Sequence, residues 1–346
     1  MEFLQSNFAP LKTNCSNFAS KFDELLFLSD KVQIASGFIT ADSVADLHRT
    51  IQLNSKPNIE LVIGMHYFDG FTKKEYQAAI AFNNYLSKEN IGGVFLSTAF
   101  KYHGKVYSFL KNNECIASII GSNNLGSITE YSRIYETSLL LTEKKENNEL
   151  KAFINNLIQI SKPINQCKIE KFKEYNKLLF EHDGVESINP LDVPSLSLPK
   201  TEFKIPLKAG SSHSKSNLNV FFGKGREDKR GLIKPRHWYE IELIVPSEIT
   251  SKKGYPSIES GNNIFDVITD DGWTFKCKVS GDYSKNFRSE GDLKILGKWI
   301  KGRLENAGAL NVGELVTEDT LKKYGRSDFD LVKTAKENVW FLNFGI

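Results

Sequence analysis

The sequence is poor in cysteine and has no long apolar run. These two features limit the classes of protein to which it can belong. Its four cysteines are scattered through 346 residues, without a Cys-x-x-Cys pair or a histidine at ligand spacing. This pattern argues against a zinc site and predicts buried thiols in a reducing cytoplasm. No stretch approaches the roughly 20 apolar residues of a membrane span. The first residues also lack the basic start and apolar run of a secretion signal.

A large excess of one charge is also missing, because the formal net charge is only +3. Positive charge is nevertheless gathered in two segments of the second half. Residues 200–236 carry ten basic residues against three acidic ones, and residues 276–303 carry eight against three. Solvated lysine-rich loops are the plainer interpretation. Arginine, asparagine, serine and aromatic residues are interleaved with the lysines, however, which favours a surface for a polyanion.

The most informative segment lies between residues 103 and 124. His103 and Lys105 precede a predicted strand, a polar turn follows at 111–114, and a second apolar strand runs into Gly-Ser-Asn-Asn. A hairpin of this kind brings Ser122 and Asn124 back towards His103 and Lys105. An imidazole, an ammonium and a carboxamide in one pocket suit phosphoryl transfer, as nucleophile or proton carrier, fixed charge and neutral donor. A surface His-x-Lys on an ordinary hairpin is the alternative.

These residues resemble the phospholipase D superfamily motif, which is His-x-Lys followed after a spacer by Gly-Ser-x-Asn. The resemblance implies a glutamate on the next strand that orients the histidine. Glu136 stands at a matching distance before an apolar run, and Glu130 is its rival. The family's common aspartate would fall at Leu110, and its loss points to the nuclease branch rather than to lipid-acting enzymes. Catalytic roles are therefore expected for His103, Lys105, Asn124, Glu136 and Ser122.

Strand and helix patterns alternate in the first half, which predicts an α/β sandwich with a largely parallel or mixed sheet. A lysine-rich helix is expected from 164 to 180. Prolines and serines then interrupt the helix and strand periodicity of the apolar residues, which indicates a linker at 181–199. The predicted domains are 1–180 and 200–346. The strands are expected at 31–39, 59–65, 93–97, 106–109, 116–120 and 136–141, and the helices near 44–51 and 73–88.

The second half changes to short strands with turn signals, which predicts a small, mainly β barrel-like domain. Strands are expected at 238–245, 264–269, 273–279 and 339–342, with one helix near 293–307. Two basic arms flank this barrel. We expect its DNA contacts among the basic, amide and aromatic residues of the arms, namely Lys215, Asn217, Lys224, Arg226, Lys229, Arg230, Tyr283, Lys285, Asn286 and Arg288. Arginine and asparagine can read base edges, whereas lysine holds phosphates.

This layout is similar to the DNA-binding pseudobarrel of plant transcription factors, and with the first domain the chain resembles an NgoFVII-type restriction endonuclease. The resemblance implies a cytoplasmic bacterial enzyme that cleaves specific double-stranded DNA without metal, through a phosphohistidine on His103. The superfamily builds its site from two copies of the motif, so this chain, in which only His103-Gly104-Lys105 is followed by Gly-Ser-x-Asn, is expected to act as a homodimer. A cognate DNA methyltransferase belongs to such systems.

No cofactor is expected in this chain, because the Gly223-Lys224-Gly225 stretch lacks the spacing of an ATP-binding loop. ATP would enter only through a separate ATPase or helicase-like subunit. Two alternative functions keep parts of this interpretation. One is a phospholipase-D-like lipid phosphodiesterase, and the other is a DNA-binding regulator without catalytic activity.

Overall fold

The computed structural model describes residues 1–55, 57–129, 134–174, 179–180, 182–189, 202–259, 261 and 263–346. The chain forms two compact units, of which the first contains residues 1–175 and 224–235. The second contains residues 176–223 and 236–346. The predicted boundaries differ from this division, because residues 224–235 belong to the first unit and not to the barrel.

The first unit alternates strands and helices, as predicted, up to residue 121. Its strands are β1 (Glu2–Gln5), β2 (Ser16–Asn17), β3 (Lys31–Ser36), β4 (Asn58–Ile63), β5 (Phe71–Thr72), β6 (Gly92–Leu96), β7 (Lys105–Lys111), β8 (Glu114–Gly121), β9 (Thr137–Leu141), β10 (Lys162–Pro163) and β11 (Phe172–Lys173). Its helices are α1 (Phe18–Leu28), α2 (Ala41–Asn54), α3 (His66–Asp69), α4 (Lys73–Glu89) and α5 (Lys144–Ile160). Capping boxes begin α2 at Thr40 and α4 at Thr72.

Among the described residues, nine strands form one mixed sheet in the order β10-β6-β4-β3-β7-β8-β9-β1-β2. Strands β3, β4 and β6 are parallel, whereas β7 is antiparallel to both β3 and β8. The carboxyl ends of β3 and β4 therefore meet the start of β7 at one edge of the sheet. The α/β class predicted for the first domain is confirmed.

Both faces of this sheet are covered by helices, which makes the first unit a sandwich. On one face Val106 packs with Ile154 and Leu157 of α5. The next residue of β7, Tyr107, points to the other face, where it meets Phe18 and Phe22 of α1 edge to face. The alternation of side chains along β7 thus supplies both layers.

One local prediction in the first unit is wrong. The segment expected to be helical from 164 to 180 contains a 3₁₀ turn at Ile164–Gln166 and the strand β11 in its described part. One face of the sheet is covered by α5, which the sequence analysis did not predict. The polar turn expected at 111–114 is confirmed, with Asn112 and Asn113 as its two central residues, both with positive φ.

The second unit is mainly β. Its strands are β12 (Glu186–Ser187), β13 (Glu202–Pro206), β16 (Leu243–Ile244), β17 (Ile264–Thr269), β18 (Trp273–Ser280), β19 (Asn286–Ser289), β20 (Asp328–Lys333) and β21 (Val339–Asn343). Strands β14 (Arg226–Glu227) and β15 (Ile233–Lys234) form a hairpin in the first unit. The helices are α6 (Ser247–Thr250), α7 (Lys294–Asn306) and α8 (Glu318–Tyr324).

The sheet of the second unit has the order β13-β20-β21-β17-β18-β19-β16, with β12 paired to β18. Every pair is antiparallel except β17 with β21. The mainly β class is therefore confirmed. Part of the expected linker differs from the prediction, because Glu186 and Ser187 pair with β18.

The strand predicted at 238–245 is reduced to β16. Trp238 and Tyr239 do not alternate between two faces of a sheet, because both bind the buried Glu305 carboxylate through Nε1 and the hydroxyl, at 2.8 and 3.0 Å. Lys301 of α7 is also buried, donates to the Trp238 carbonyl and lies over its ring. Side-chain contacts with α7 thus override the strand propensity of this segment.

The cysteines are free in the described structure, but only Cys277 is buried. Cys15 is exposed, and Cys115 and Cys167 are half-buried, so the prediction of four buried thiols is wrong. No helix in the described ranges is long and apolar enough to cross a membrane.

Candidate active site and DNA-binding surface

His103 lies in the loop between β6 and β7, at the sheet edge where β3 and β4 end. Its side chain is exposed, and β7 begins two residues later at Lys105. The His103 ring packs against the backbone of β3's end, since its Cδ2 lies 3.2 Å from the point where a Cβ on Gly37 would stand. Phe38 meets the ring edge to face at 5.7 Å. The imidazole is therefore supported on one side and open on the other.

Lys105 is the first residue of β7 and is only 7% exposed. Its Nζ donates a hydrogen bond to the His103 carbonyl at 2.7 Å, which ties the ammonium to the histidine loop. Burial lowers the pKa of Lys105, and the nearby Glu136 carboxylate opposes this shift. A lysine with little solvation presents its charge to a phosphate with less screening than a surface lysine.

Asn124 follows β8 and reaches β3. Its Oδ1 accepts hydrogen bonds from the Phe38 N–H at 3.0 Å and from the Ser36 hydroxyl at 3.4 Å. The carbonyl half of the amide is thus held by β3 and its following residues. The Nδ2 donors are left as the part of the side chain suited to a substrate oxygen.

The Gly-Ser corner before Asn124 packs tightly against β9. A Cβ on Gly121 would stand within 2.5 Å of Ser138 Cα, so only glycine fits. Ser122 donates from its backbone N–H and from Oγ to the Thr137 carbonyl, and Oγ accepts from the Thr137 N–H. Ser122 therefore holds the corner to β9 as well as lying near the catalytic residues.

Glu136 precedes β9 and its backbone is fixed by Ser6, which bonds to both its N–H and its carbonyl. Its carboxylate is close enough to Lys105 to raise the lysine's pKa. In the described part of the chain, no hydrogen bond joins this carboxylate to the His103 ring, which is the contact expected from the family. Glu130, the alternative candidate, lies outside the described residues.

Two residues near the site were not assigned a role by the sequence analysis. Asn123 is buried between β7 and β9, where its carbonyl accepts from Tyr107 and its Oδ1 accepts from Ser138, both at 2.7 Å. His66 follows β4, accepts from the Ile39 N–H at 3.1 Å and donates to Gly70. Burial lowers the pKa of His66. The doubled asparagine could have indicated the first role, whereas nothing in the local sequence indicates the second.

The second arm of the predicted DNA-binding set is shorter than expected. Tyr283 is 83% exposed on a 3₁₀ turn at Asp282–Ser284, and Lys285 follows it with an ion pair to Asp282. Asn286 and Arg288 lie on β19, within the sheet, and their side chains are half-buried. Only the turn projects as a loop.

The first arm is divided between the two units. Lys215 is exposed, whereas Asn217 is only 5% exposed and donates to Ser216 Oγ. The buried Asn217 side chain is not presented to a duplex. Four further candidates are exposed but lie on or beside the β14–β15 hairpin, in the first unit, and these are Lys224, Arg226, Lys229 and Arg230.

The β14–β15 hairpin is anchored to α1 and α2. Asn54 bonds through both halves of its amide to the Ile233 backbone, at 2.8 and 3.0 Å. Lys234 pairs with Asp23 of α1 at 2.7 Å, and Arg230 pairs with Glu24 of α1 at 3.4 Å. The assignment of this arm to the barrel is corrected by these contacts. Its basic residues are carried by the unit that holds His103.

Comparison with protein families also divides the chain into two domains, although the second match includes the β14–β15 hairpin. Residues 16–171 match the family model described as the NgoFVII restriction endonuclease N-terminal PLD domain. Residues 195–335 match the model described as the NgoFVII C-terminal B3-like DNA-binding domain. No curated protein matches the sequence.

Similar solved structures cover less than half of the chain. NucT from Helicobacter pylori is 15% identical, with a TM-score of 0.31 over 42% of this chain and 89% of that one. Nuc from Salmonella typhimurium, a phospholipase D family member, is 13% identical, with a TM-score of 0.30 over 42% and 88%. TrmBL2, an archaeal chromatin protein, is 14% identical, with a TM-score of 0.29 over 42% and 49%.

Proposed function

The chain belongs to the NgoFVII type of restriction endonuclease, and from this premise we propose that it cleaves double-stranded DNA at a specific sequence. It is a phosphodiesterase with a phospholipase-D-like nuclease domain and a B3-like DNA-binding domain. The observation that carries the proposal is the convergence of His103, Lys105 and Asn124 at one edge of the first sheet. The proposed reaction is a type II-like cleavage that needs no metal ion.

In the proposed first step, a nitrogen of the exposed His103 ring attacks the scissile phosphorus. A P–N bond forms, the P–O bond to the leaving nucleotide breaks, and a protonated second imidazole gives its proton to the leaving oxygen. Water then attacks the phosphohistidine and passes a proton to the second imidazole, while the P–N bond breaks. Both histidines regain their starting protonation states.

The other site residues act on charge and position. Lys105 and the Nδ2 of Asn124 stabilise the phosphate oxygens, whose charge must be held for an imidazole to attack. The negative charge of the Glu136 carboxylate stabilises the protonated imidazole of His103. Ser122 makes a smaller contribution, because its hydroxyl already bonds to Thr137.

The second imidazole is the His103 of another copy, because only one His-x-Lys of the chain, His103-Gly104-Lys105, is followed by Gly-Ser-x-Asn. The active form is therefore proposed to be a homodimer that completes one site. Target recognition is assigned to exposed and half-buried residues of the two basic regions. We place Arg226, Arg230, Lys285, Asn286 and Arg288 on base edges, and Lys215, Lys224 and Lys229 on phosphates. A cognate methyltransferase protects the host DNA, and any ATP requirement belongs to a separate subunit.

The test is cleavage of a sequenced plasmid by the purified full-length protein with and without EDTA. Discrete fragments in both conditions are expected, and their ends give the target sequence. The His103→Ala variant should bind the same fragments without cutting them, whereas His213→Ala, which changes the half-buried histidine of the other His-x-Lys, should cut. Loss of cleavage in EDTA would contradict the metal-free mechanism, and full cleavage by His103→Ala would contradict the site.

A further inference from the structure

A pocket lies beside the active site and takes no part in the chemistry proposed above. It has a volume of about 660 Å³ and is lined by residues 66–70 and 168–173, all in the first unit. We call it the rim pocket. Its first wall is α3, which follows the carboxyl end of β4, and its second wall is the segment that contains β11.

The rim pocket begins one ring away from the catalytic histidine. Phe38 contacts the His103 ring at 5.7 Å and the His66 ring at 5.3 Å, on the wall of the pocket. The loop that carries His103 and the loop after β4 are also joined by a backbone hydrogen bond, because the Tyr102 N–H donates to the Gly64 carbonyl at 3.1 Å. A chain bound in the rim pocket would therefore adjoin whatever is bound at His103.

The walls are held in place by hydrogen bonds and packing. Strand β11 pairs in parallel with β5, which places Phe172 beside Phe71. The Phe172 ring also packs on Tyr76 at 5.5 Å. Gly70 has a φ of +89°, and the stem of Lys173 lies 3.2 Å from the point where a Cβ would stand. The pocket is thus formed before any ligand arrives.

The rim pocket is lined by exposed aromatic rings and by three lysines, Lys168, Lys171 and Lys173, against the two carboxylates Asp69 and Glu170. Tyr67, Phe68 and Phe172 are 39, 43 and 43% exposed, although large aromatic side chains usually pack inside a protein. Lys171 and Lys173 are exposed on the facing segment. The nearby carboxylate of Asp69 is bound by Lys101 at 2.6 Å, which reduces the negative charge of this wall.

Aromatic faces next to lysines are the combination by which proteins hold single strands of nucleic acid. The bases stack on the rings, and the lysines neutralise the phosphates, without reading the sequence. A homodimer contact could also cover exposed aromatics, but it would not call for lysines along the same pocket wall. The charge of the rim pocket therefore favours DNA as the occupant.

We propose that the rim pocket binds the DNA strand that adjoins the scissile phosphate, and that a base of this strand leaves the duplex stack to pack on Tyr67 and Phe68. Lys171 and Lys173 contact the phosphates on either side of it. This inference rests on the proposed nuclease function. Its role is to position the strand for attack by His103, with no effect on which sequence is chosen.

The first experiment is a mutant cycle between protein rings and DNA bases. Cognate duplexes carry an abasic residue at each of the three positions on either side of the cut, and single-turnover cleavage is measured for the wild type and for Tyr67→Ala with Phe68→Ala. An abasic residue at one of these positions should reduce the cleavage rate of the wild type by about fivefold or more, which is the effect expected from the loss of one stacking contact. The same substitution should have no further effect on the variant.

The second experiment tests the lysines by salt dependence. Binding of the cognate duplex by the full-length protein is measured at several salt concentrations. Lys171→Ala with Lys173→Ala should reduce the slope of log K against log salt by about 1.4, since each single-strand phosphate contributes about 0.7. The matched control is Lys88→Ala with Lys145→Ala, two exposed lysines at the end of α4 and the start of α5 that do not line the pocket, which should leave the slope unchanged.

The outcomes separate this inference from the proposed function. Equal abasic effects in the wild type and the aromatic variant would overturn the rim pocket while leaving the nuclease in place. Loss of self-association by the aromatic variant, measured by mass photometry, would assign the surface to a second copy instead. Failure of the wild type to cleave any DNA would overturn the proposed function itself.

Discussion

The catalytic residues and the predicted DNA-reading residues are held in opposite ways. His103, Lys105 and Asn124 lie at strand ends in the middle of the nine-stranded sheet, and their backbone or amide groups bond to residues of β7 and at the end of β3. Tyr283, by contrast, lies on a turn and is 83% exposed, and Lys285 follows this turn with a half-buried side chain. Chemistry that is the same at every phosphodiester needs fixed geometry, whereas reading a sequence needs side chains that can be exchanged.

The β14–β15 hairpin combines a feature of each group. Its arginine and lysine side chains are exposed, but Asn54 and Asp23 fix its backbone and one of its lysines to the nuclease unit. Basic residues on this hairpin are therefore positioned with respect to His103. This difference from the turn at Tyr283 means that the two arms should respond differently to mutation.

The largest expected effect is at the nucleophile. His103→Ala should reduce cleavage by about 10⁴-fold or more, because removal of a nucleophile leaves only binding and charge stabilisation. The exposed side chain contributes little to packing, so the thermal midpoint should stay within about 2 °C of the wild type. Single-turnover cleavage and calorimetry check both parts. A large fall in the midpoint would show that His103 is structural.

Asn124→Asp separates the two halves of the amide. The Oδ1 that accepts from Phe38 is kept, while the Nδ2 donor is replaced by a charge that repels phosphate. Cleavage should fall by about 10²–10³-fold, as for other lost donors to a developing charge. Single-turnover rates at saturating protein measure this, with Asn113→Asp at the exposed β7–β8 turn as the control. A rate near that of the wild type would exclude Asn124 from the phosphate.

Gly121→Ala tests how tightly the catalytic corner is packed. The added methyl group meets Ser138 and Thr137, so the free energy of unfolding should fall by about 1–3 kcal/mol. Gly93→Ala on β6 is the control, because its added methyl group would lie no closer than 3.5 Å to its neighbours and its φ, like that of Gly121, is not positive. Urea unfolding measures both variants. An equal loss in the two would contradict the steric account.

The residues proposed to contact DNA should tolerate substitution, but the substituted protein should show a changed preference for DNA sequence. Arg288→Ala should weaken binding of the target by about 1–3 kcal/mol and relax the choice at one base pair. Lys215→Ala should weaken all duplexes alike and reduce the salt slope by about one. Binding to a set of singly substituted targets distinguishes them. A uniform loss with Arg288→Ala would assign it to phosphate.

The smallest effect concerns pH. Burial lowers the pKa of Lys105 and Glu136 raises it, so Glu136→Gln should lower it further. Because the protonated amine is the active form, cleavage is present below this pKa and is lost as the pH rises through it. The alkaline limb of the pH–rate profile should therefore move to lower pH in Glu136→Gln. An unchanged limb would show that another group controls it.

The motif residues could be predicted because their chemistry and spacing are local. A hairpin brings Asn124 back to the level of Lys105 whatever surrounds it, and the observed β7 and β8 do so. The element boundaries failed where distant contacts decide the structure. Residues 164–174 have the composition of a helix, but β11 pairs with β5, far away in the sequence.

The placement of the first arm failed for a similar reason. Nothing near Ile233 indicates that its backbone bonds to Asn54, 179 residues away. The rim pocket also depends on residues about one hundred positions apart. Its aromatic residues are ordinary in the sequence and become informative only through their exposure.

The most direct test of the account is the capture of the covalent intermediate on His103. Full-length protein is mixed with cognate DNA in EDTA, quenched in alkali to preserve a phosphohistidine, and digested with nuclease and trypsin. Trypsin releases the peptide of residues 102–105, because lysines stand at 101 and 105. The account predicts a nucleotide phosphate on this peptide, formed and lost at rates that match cleavage. Cleavage in EDTA without this adduct at any time would contradict the phosphohistidine mechanism.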